Sequence, residues 1–84
     1  MNWALIGLLT ALTAAAQTPA ETGLSLNTQG NRAEESGNYP EAQRLYREAI
    51  RIFRSLGPEY EAHAASALLN LAIAMTGRGL PEIR

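Results

Sequence analysis

The sequence predicts an all-α protein built of antiparallel helix-turn-helix units, with about three helices after an N-terminal signal helix. Three observations predict it. Between Gly37 and Leu56, the apolar residues Ala42, Leu45, Tyr46, Ala49, Ile52 or Phe53, and Leu56 recur at the helical period rather than the strand period. Glycine and proline punctuate the chain at Gly37, Pro40, Gly57, Pro58, Gly77 and Gly79. The pattern then restarts: Leu80-Pro81-Glu82-Ile83 echoes Tyr39-Pro40-Glu41-Ala42 at an offset of about 41 residues.

The composition narrows the function classes. With 84 residues, the chain makes one small domain at most. An apolar content of 46% suits a folded protein rather than a disordered one. The net charge of −1 gives no bulk attraction to nucleic acid or to anionic membranes. The absence of cysteine removes disulfides, thiolate metal sites and cysteine nucleophiles. All seven basic residues are arginine and all eight acids are glutamate, a bias of GC-rich coding.

Residues 1–16 read as a signal peptide. Trp3 to Ala16 is uncharged and mostly apolar, and at 14 residues it is too short for a comfortable span of about 20. Ala14-Ala15-Ala16 supplies a small-x-small cleavage pattern, so a mature chain beginning at Gln17 and an exported location, periplasmic or extracellular, are expected. Met1-Asn2 carries no Lys or Arg, so the n-region charge is the terminal amine alone. Residues 17–22, with Pro19, read as a linker.

The repeat region is expected over residues 23–84. In its first helix, capped by Thr22, Leu24, Leu26, Gly30 and Ala33 lie towards one side. That face is poor in large side chains, which fits close approach of the second helix. Gly37 ends the helix as a residue free to take positive φ. The second helix is expected to begin with Pro40 at its first helical position, Tyr39 being pushed out of the helical region by the proline after it, with Glu41 near the positive end of the dipole and Gly57 closing it. Ala42 and Ala49 on its apolar face mark places where a neighbouring helix comes close.

Arg44, Arg47, Arg51 and Arg54 form a stripe on the second helix. Glu41 and Glu48 partly neutralise it, and no aromatic platform is interleaved, so no nucleic-acid partner is expected. A third helix starts at Pro58, with Tyr60, Ala64, Ala67, Leu68, Leu71, Ala74 and Met75 as its apolar face. His63, the single histidine, has no metal-ligand spacing around it and reads as a partly exposed helix residue. No catalytic residue, cofactor or metal is expected, because the chain offers neither an Asp nor a Cys, and its glutamates scatter over solvent faces.

Helix, glycine-containing turn, helix and a restart about 42 residues on is a repeat signature. On these residues the chain resembles a tetratricopeptide repeat protein, in the longer 42-residue form seen in kinesin light chains and many bacterial repeat proteins. Gly30 matches the small residue of the first helix. Gly37, Tyr39, Glu41 and Ala42 match the turn and the start of the second. Tyr46 and Ala49 match its aromatic and second small positions. Asn70-Leu71-Ala72 followed by Gly79 is similar to the next repeat. Leu26, Gln29 and Ala33 depart from the motif, which prefers Trp, Leu and Tyr there, and the last repeat is cut off.

The resemblance implies a short right-handed α-solenoid and a protein or peptide partner held on the side lined by the first helix of each repeat. On this chain that side carries Asn27, Asn31, Ser66, Asn70 and Ile73. Asparagine suits the task, because its amide both donates to and accepts from an extended backbone. An alternative reading is a remnant of a longer array, or the leading part of a protein whose activity lies downstream. One and a half repeats bury little, so self-association over the third helix is also expected.

Overall fold

The computed structural model describes residues 17–77, which form three helices and no strand. Helix α1 spans Pro19–Glu35, α2 spans Tyr39–Ser55 and α3 spans Glu61–Thr76, with a 3-10 turn at Pro58–Tyr60 leading into α3. The architecture is an all-α helical hairpin, α1 against α2, extended by α3. The signal peptide expected over residues 1–16 lies outside the described residues, as does the expected restart at Leu80–Ile83.

Helix α1 begins earlier than expected. Thr18, not Thr22, is its N-cap, and a reciprocal capping box forms. Glu21 N–H donates to Thr18 Oγ1 at 3.1 Å, and Thr18 N–H donates to Glu21 Oε1 at 2.9 Å. The Thr18 backbone N–H, and then the Thr18 hydroxyl beside it, hold the Glu21 carboxyl below the usual carboxylate range. Pro19 occupies the first turn, where its missing N–H costs nothing. Residues 19–22 are therefore helix rather than linker. Thr22 instead turns its hydroxyl back to the Thr18 carbonyl at 3.1 Å.

The end of α1 follows the expectation. Asn38 N–H donates to the Ala33 carbonyl at 2.8 Å and Gly37 N–H to the Glu34 carbonyl at 2.9 Å, the paired bonds of a Schellman cap. Gly37 takes φ +82°, which a side chain would strain.

The core is centred on α2. Ala42, Leu45, Tyr46, Ala49, Ile50 and Phe53 are buried there, with Ala64, Ala67, Leu71 and Ala74 of α3. Tyr46 and Phe53 are the largest fully buried side chains. They rest against glycines of α1. A Cβ on Gly30 would lie 2.5 Å from Tyr46 Cε1, and one on Gly23 would lie 2.8 Å from Phe53 Cε1. Those distances are below any real carbon contact, so the rings occupy the space that side chains on α1 would need.

Three expectations about faces need correction. Ile50 belongs to the core, while Ile52 and Leu56 are only half-buried. Leu24 is 47% exposed, so α1 packs through Gly23, Gly30, Leu26 and Ala33. On α3, Leu68 and Met75 are 45% and 61% exposed rather than buried. The reason is common to α1 and α3. Apart from Leu26 and Leu71, their inward positions hold glycine and alanine, so most of their larger side chains are left outside.

Polar contacts complete the frame. Gln43 Nε2 donates to the Ala74 carbonyl at 3.2 Å, tying α2 to the last turn of α3. On the outer side of α2, Arg44 pairs with Glu41 at 2.8 Å, and Arg51 pairs with Glu48. Two of the four stripe arginines are thus engaged locally. At the junction, the Phe53 ring stacks with Tyr60 at 6.4 Å and meets the tilted His63 ring at 5.3 Å. His63 is solvent-exposed on its outer side, as its setting suggested.

Candidate peptide-binding groove

The groove lies where α1 and the start of α2 meet α3. It encloses about 580 Å³ and is lined by Thr28, Asn31, Arg32, Glu34 and Glu35 of α1, Tyr39 of α2 and Asn70 of α3. Two of the expected residues, Asn31 and Asn70, line it directly. A third, Asn27, touches it through Asn70: the Asn70 Nδ2 donates to Asn27 Oδ1 at 3.2 Å. That contact joins residues 43 positions apart and links α3 to α1.

The bond uses one of the two hydrogens on Asn70 Nδ2. Its second hydrogen and its Oδ1 keep their capacity for a ligand. Both asparagines are half-buried, so the amides are held in place without being sealed from solvent. Ser66 and Ile73 share the same face of α3 as Asn70, at i−4 and i+3. Ser66 is exposed, Ile73 is half-buried, and neither reaches the groove lining.

The floor holds a polar cluster that sequence reasoning missed. The Tyr46 hydroxyl lies 2.6 Å from Asn31 Oδ1 and 2.9 Å from Glu34 Oε1. One hydroxyl proton cannot serve both oxygens fully. Rotating the Asn31 amide by 180° resolves the conflict: Asn31 then donates to Tyr46, and Tyr46 donates to Glu34. Burial of the phenol, and then the Glu34 carboxylate beside it, push its ionisation well above the usual tyrosine range.

The helical spacing of Asn31 and Glu34, at i and i+3, places them side by side. Nothing in the sequence said that the hydroxyl of a core tyrosine would emerge between them. Thr28, Arg32, Glu35 and Tyr39 were likewise not predicted as lining.

The groove thus presents amides, carboxylates, a guanidinium and a hydroxyl around a half-open floor. Such a set can hydrogen-bond an extended backbone and ion-pair with a charged side chain. Among the described residues, no cluster of three or more His, Cys, Asp or Glu is placed to hold a metal, and no helix is long and apolar enough to cross a membrane. No protein-family model, curated protein or solved structure matches the chain.

Proposed function

We propose that this chain is a protein-interaction module of tetratricopeptide type, in an exported protein, and that its groove holds an extended peptide or a partner helix. The observation that carries the reading is the Asn27–Asn70 bridge. It sets an amide from each of two successive first helices at one surface, where their spare donors and acceptors meet a ligand backbone. The glycine-against-aromatic packing of α1 on α2 supports the same reading, since it fits the small and aromatic positions of the repeat.

The test is a binding titration. A partner is first recovered by pull-down with the mature chain, and its affinity is then compared for the natural protein and Asn70→Ala. Losing one hydrogen bond of this kind weakens binding by about 0.5–1.5 kcal/mol, a several-fold change. Helical circular dichroism stays unchanged, because Ala is the better helix former. If Asn70→Ala leaves affinity intact while replacing Arg44, Arg47, Arg51 and Arg54 abolishes it, the partner sits on the outer side of α2 and the groove assignment fails.

The second reading, a portion of a longer repeat array, is favoured by a different observation. Leu68, Leu69 and Met75 leave the outer side of α3 open, where another helix could pack.

A further inference from the structure

We infer that α3 pairs antiparallel with α3 of a second copy of this chain, through a stripe formed by Ala65, Leu68, Leu69, Ala72 and Met75. This surface is separate from the groove and does not depend on what the groove binds. Helix α3 buries Ala64, Ala67, Leu71 and Ala74 against α2. At 100° per residue, the stripe is centred about 100° round the helix from that buried face, on the side away from Asn70. All five of its residues are exposed, and Leu68, Leu69 and Met75 retain 45%, 62% and 61% of their surface. The stripe widens the apolar arc of α3 beyond what α2 covers, which leaves room on it for a further helix.

Spacing and size point to the occupant. Ala65, Leu68, Ala72 and Met75 are separated by three, four and three residues, the spacing of a coiled-coil seam. A two-fold axis at the level of residue 70 sets Leu68 of one copy against Ala72 of the other, and Ala65 against Met75. Each layer then combines one small and one large side chain, and the seam has even thickness. A parallel pair would set Leu68 on Leu68 and Ala65 on Ala65, alternately thick and thin.

Charge selects the same arrangement. The stripe is uncharged, and the acids Glu59 and Glu61 stand at the N-terminal end of α3. A parallel pair would bring four carboxylates together. The antiparallel pair separates them by about 24 Å, the length of the 16-residue helix and beyond a Debye length of about 8–10 Å. The contact is isologous, so it closes at two copies. A single helix pair buries roughly 1,000 Å² in total, which fits a weak, concentration-dependent dimer.

The chain has no cysteine, so introduced cysteines report cleanly on register. Ala65→Cys and Met75→Cys chains are oxidised separately and as a mixture, alongside sedimentation of the natural chain across a concentration series. The expected result is a reversible dimer, with cross-linking in the mixture several-fold above that of either variant alone. Leu68→Glu should raise the dimer dissociation constant at least tenfold with helicity unchanged. Leu69→Lys, at a fully outward position, repeats the test should Leu68→Glu unfold. A chain that stays monomeric into the millimolar range overturns the inference. So does cross-linking that is strongest in Ala65→Cys alone, which would mean a parallel pair.

Discussion

At Gly30 the approach of two helices turns on one missing carbon. Replacing it by Ala gains about 1 kcal/mol of helix propensity. The new Cβ, however, would sit 2.5 Å from the Tyr46 ring. That ring cannot swing aside, because its hydroxyl is tied to Asn31 and Glu34. Overpacking costs about 1–3 kcal/mol and outweighs the propensity gain. Gly30→Ala should therefore lower stability by up to about 2 kcal/mol, read from the midpoint of urea unfolding at constant slope. An unchanged or raised midpoint would mean that α1 stands further from α2. The small face of α1 was legible in the sequence at Gly30. Gly23 was not, since a glycine near a helix start carries no signal separating a packing role from a flexible one.

At the level of single helices, α2 was read most fully and α3 least. The phase of α2 is clear because polar and apolar residues alternate at the helical period, so Ala49 was placed correctly in a close contact, where it is fully buried. Ala49→Leu should cost about 1–3 kcal/mol. The exposed Arg47→Ala should stay within about 0.5 kcal/mol. Equal unfolding midpoints for the two variants would show the face of α2 to be misassigned. Helix α3 has alanine, leucine and methionine nearly all round, and periodicity cannot say which of two apolar sides faces α2. That is why Leu68 and Met75 were expected inside.

The helix surfaces also predict a pH dependence. Hydrogen bonds from Arg44 and Arg51 hold the carboxyls of Glu41 and Glu48 below the usual range, as the Thr18 cap does for Glu21. Depressed folded-state values add stability above the ordinary carboxylate value, and that stability is lost as pH falls through the depressed ones. Thermal midpoints should thus fall from pH 5 to pH 3, and a flat profile would count against these bonds persisting in solution.

For the molecule as a whole, the fold class follows from turn chemistry and helical period, both local properties. Function is less legible, because it rests on contacts between residues far apart in the chain. Asn70 was placed towards the first helix from the phase of Leu71. Its bond to Asn27 depends on how α1 and α3 both lean on α2, which no local pattern encodes. Among the described residues the core that holds them together is small: ten buried apolar residues, of which the four on α3 are alanine except for Leu71. A core of that size is marginal without disulfides or metals. The isolated monomer should melt cooperatively below roughly 65 °C, within the mesophile range. A higher midpoint that does not change with protein concentration would refute this.

Gly23 and Gly30 are seven residues apart, and so are Tyr46 and Phe53. Two notches on α1 meet two rings on the antiparallel α2 at matched spacing, and this sets the sliding position of one helix on the other. A shift of one helical turn sets both rings against side chains instead of notches. A shift of seven residues leaves one ring with no notch at all. Only one sliding position therefore seats both rings in notches. The pairing is a two-pin latch against sliding: moving α1 along α2 in either direction takes at least one ring out of its notch.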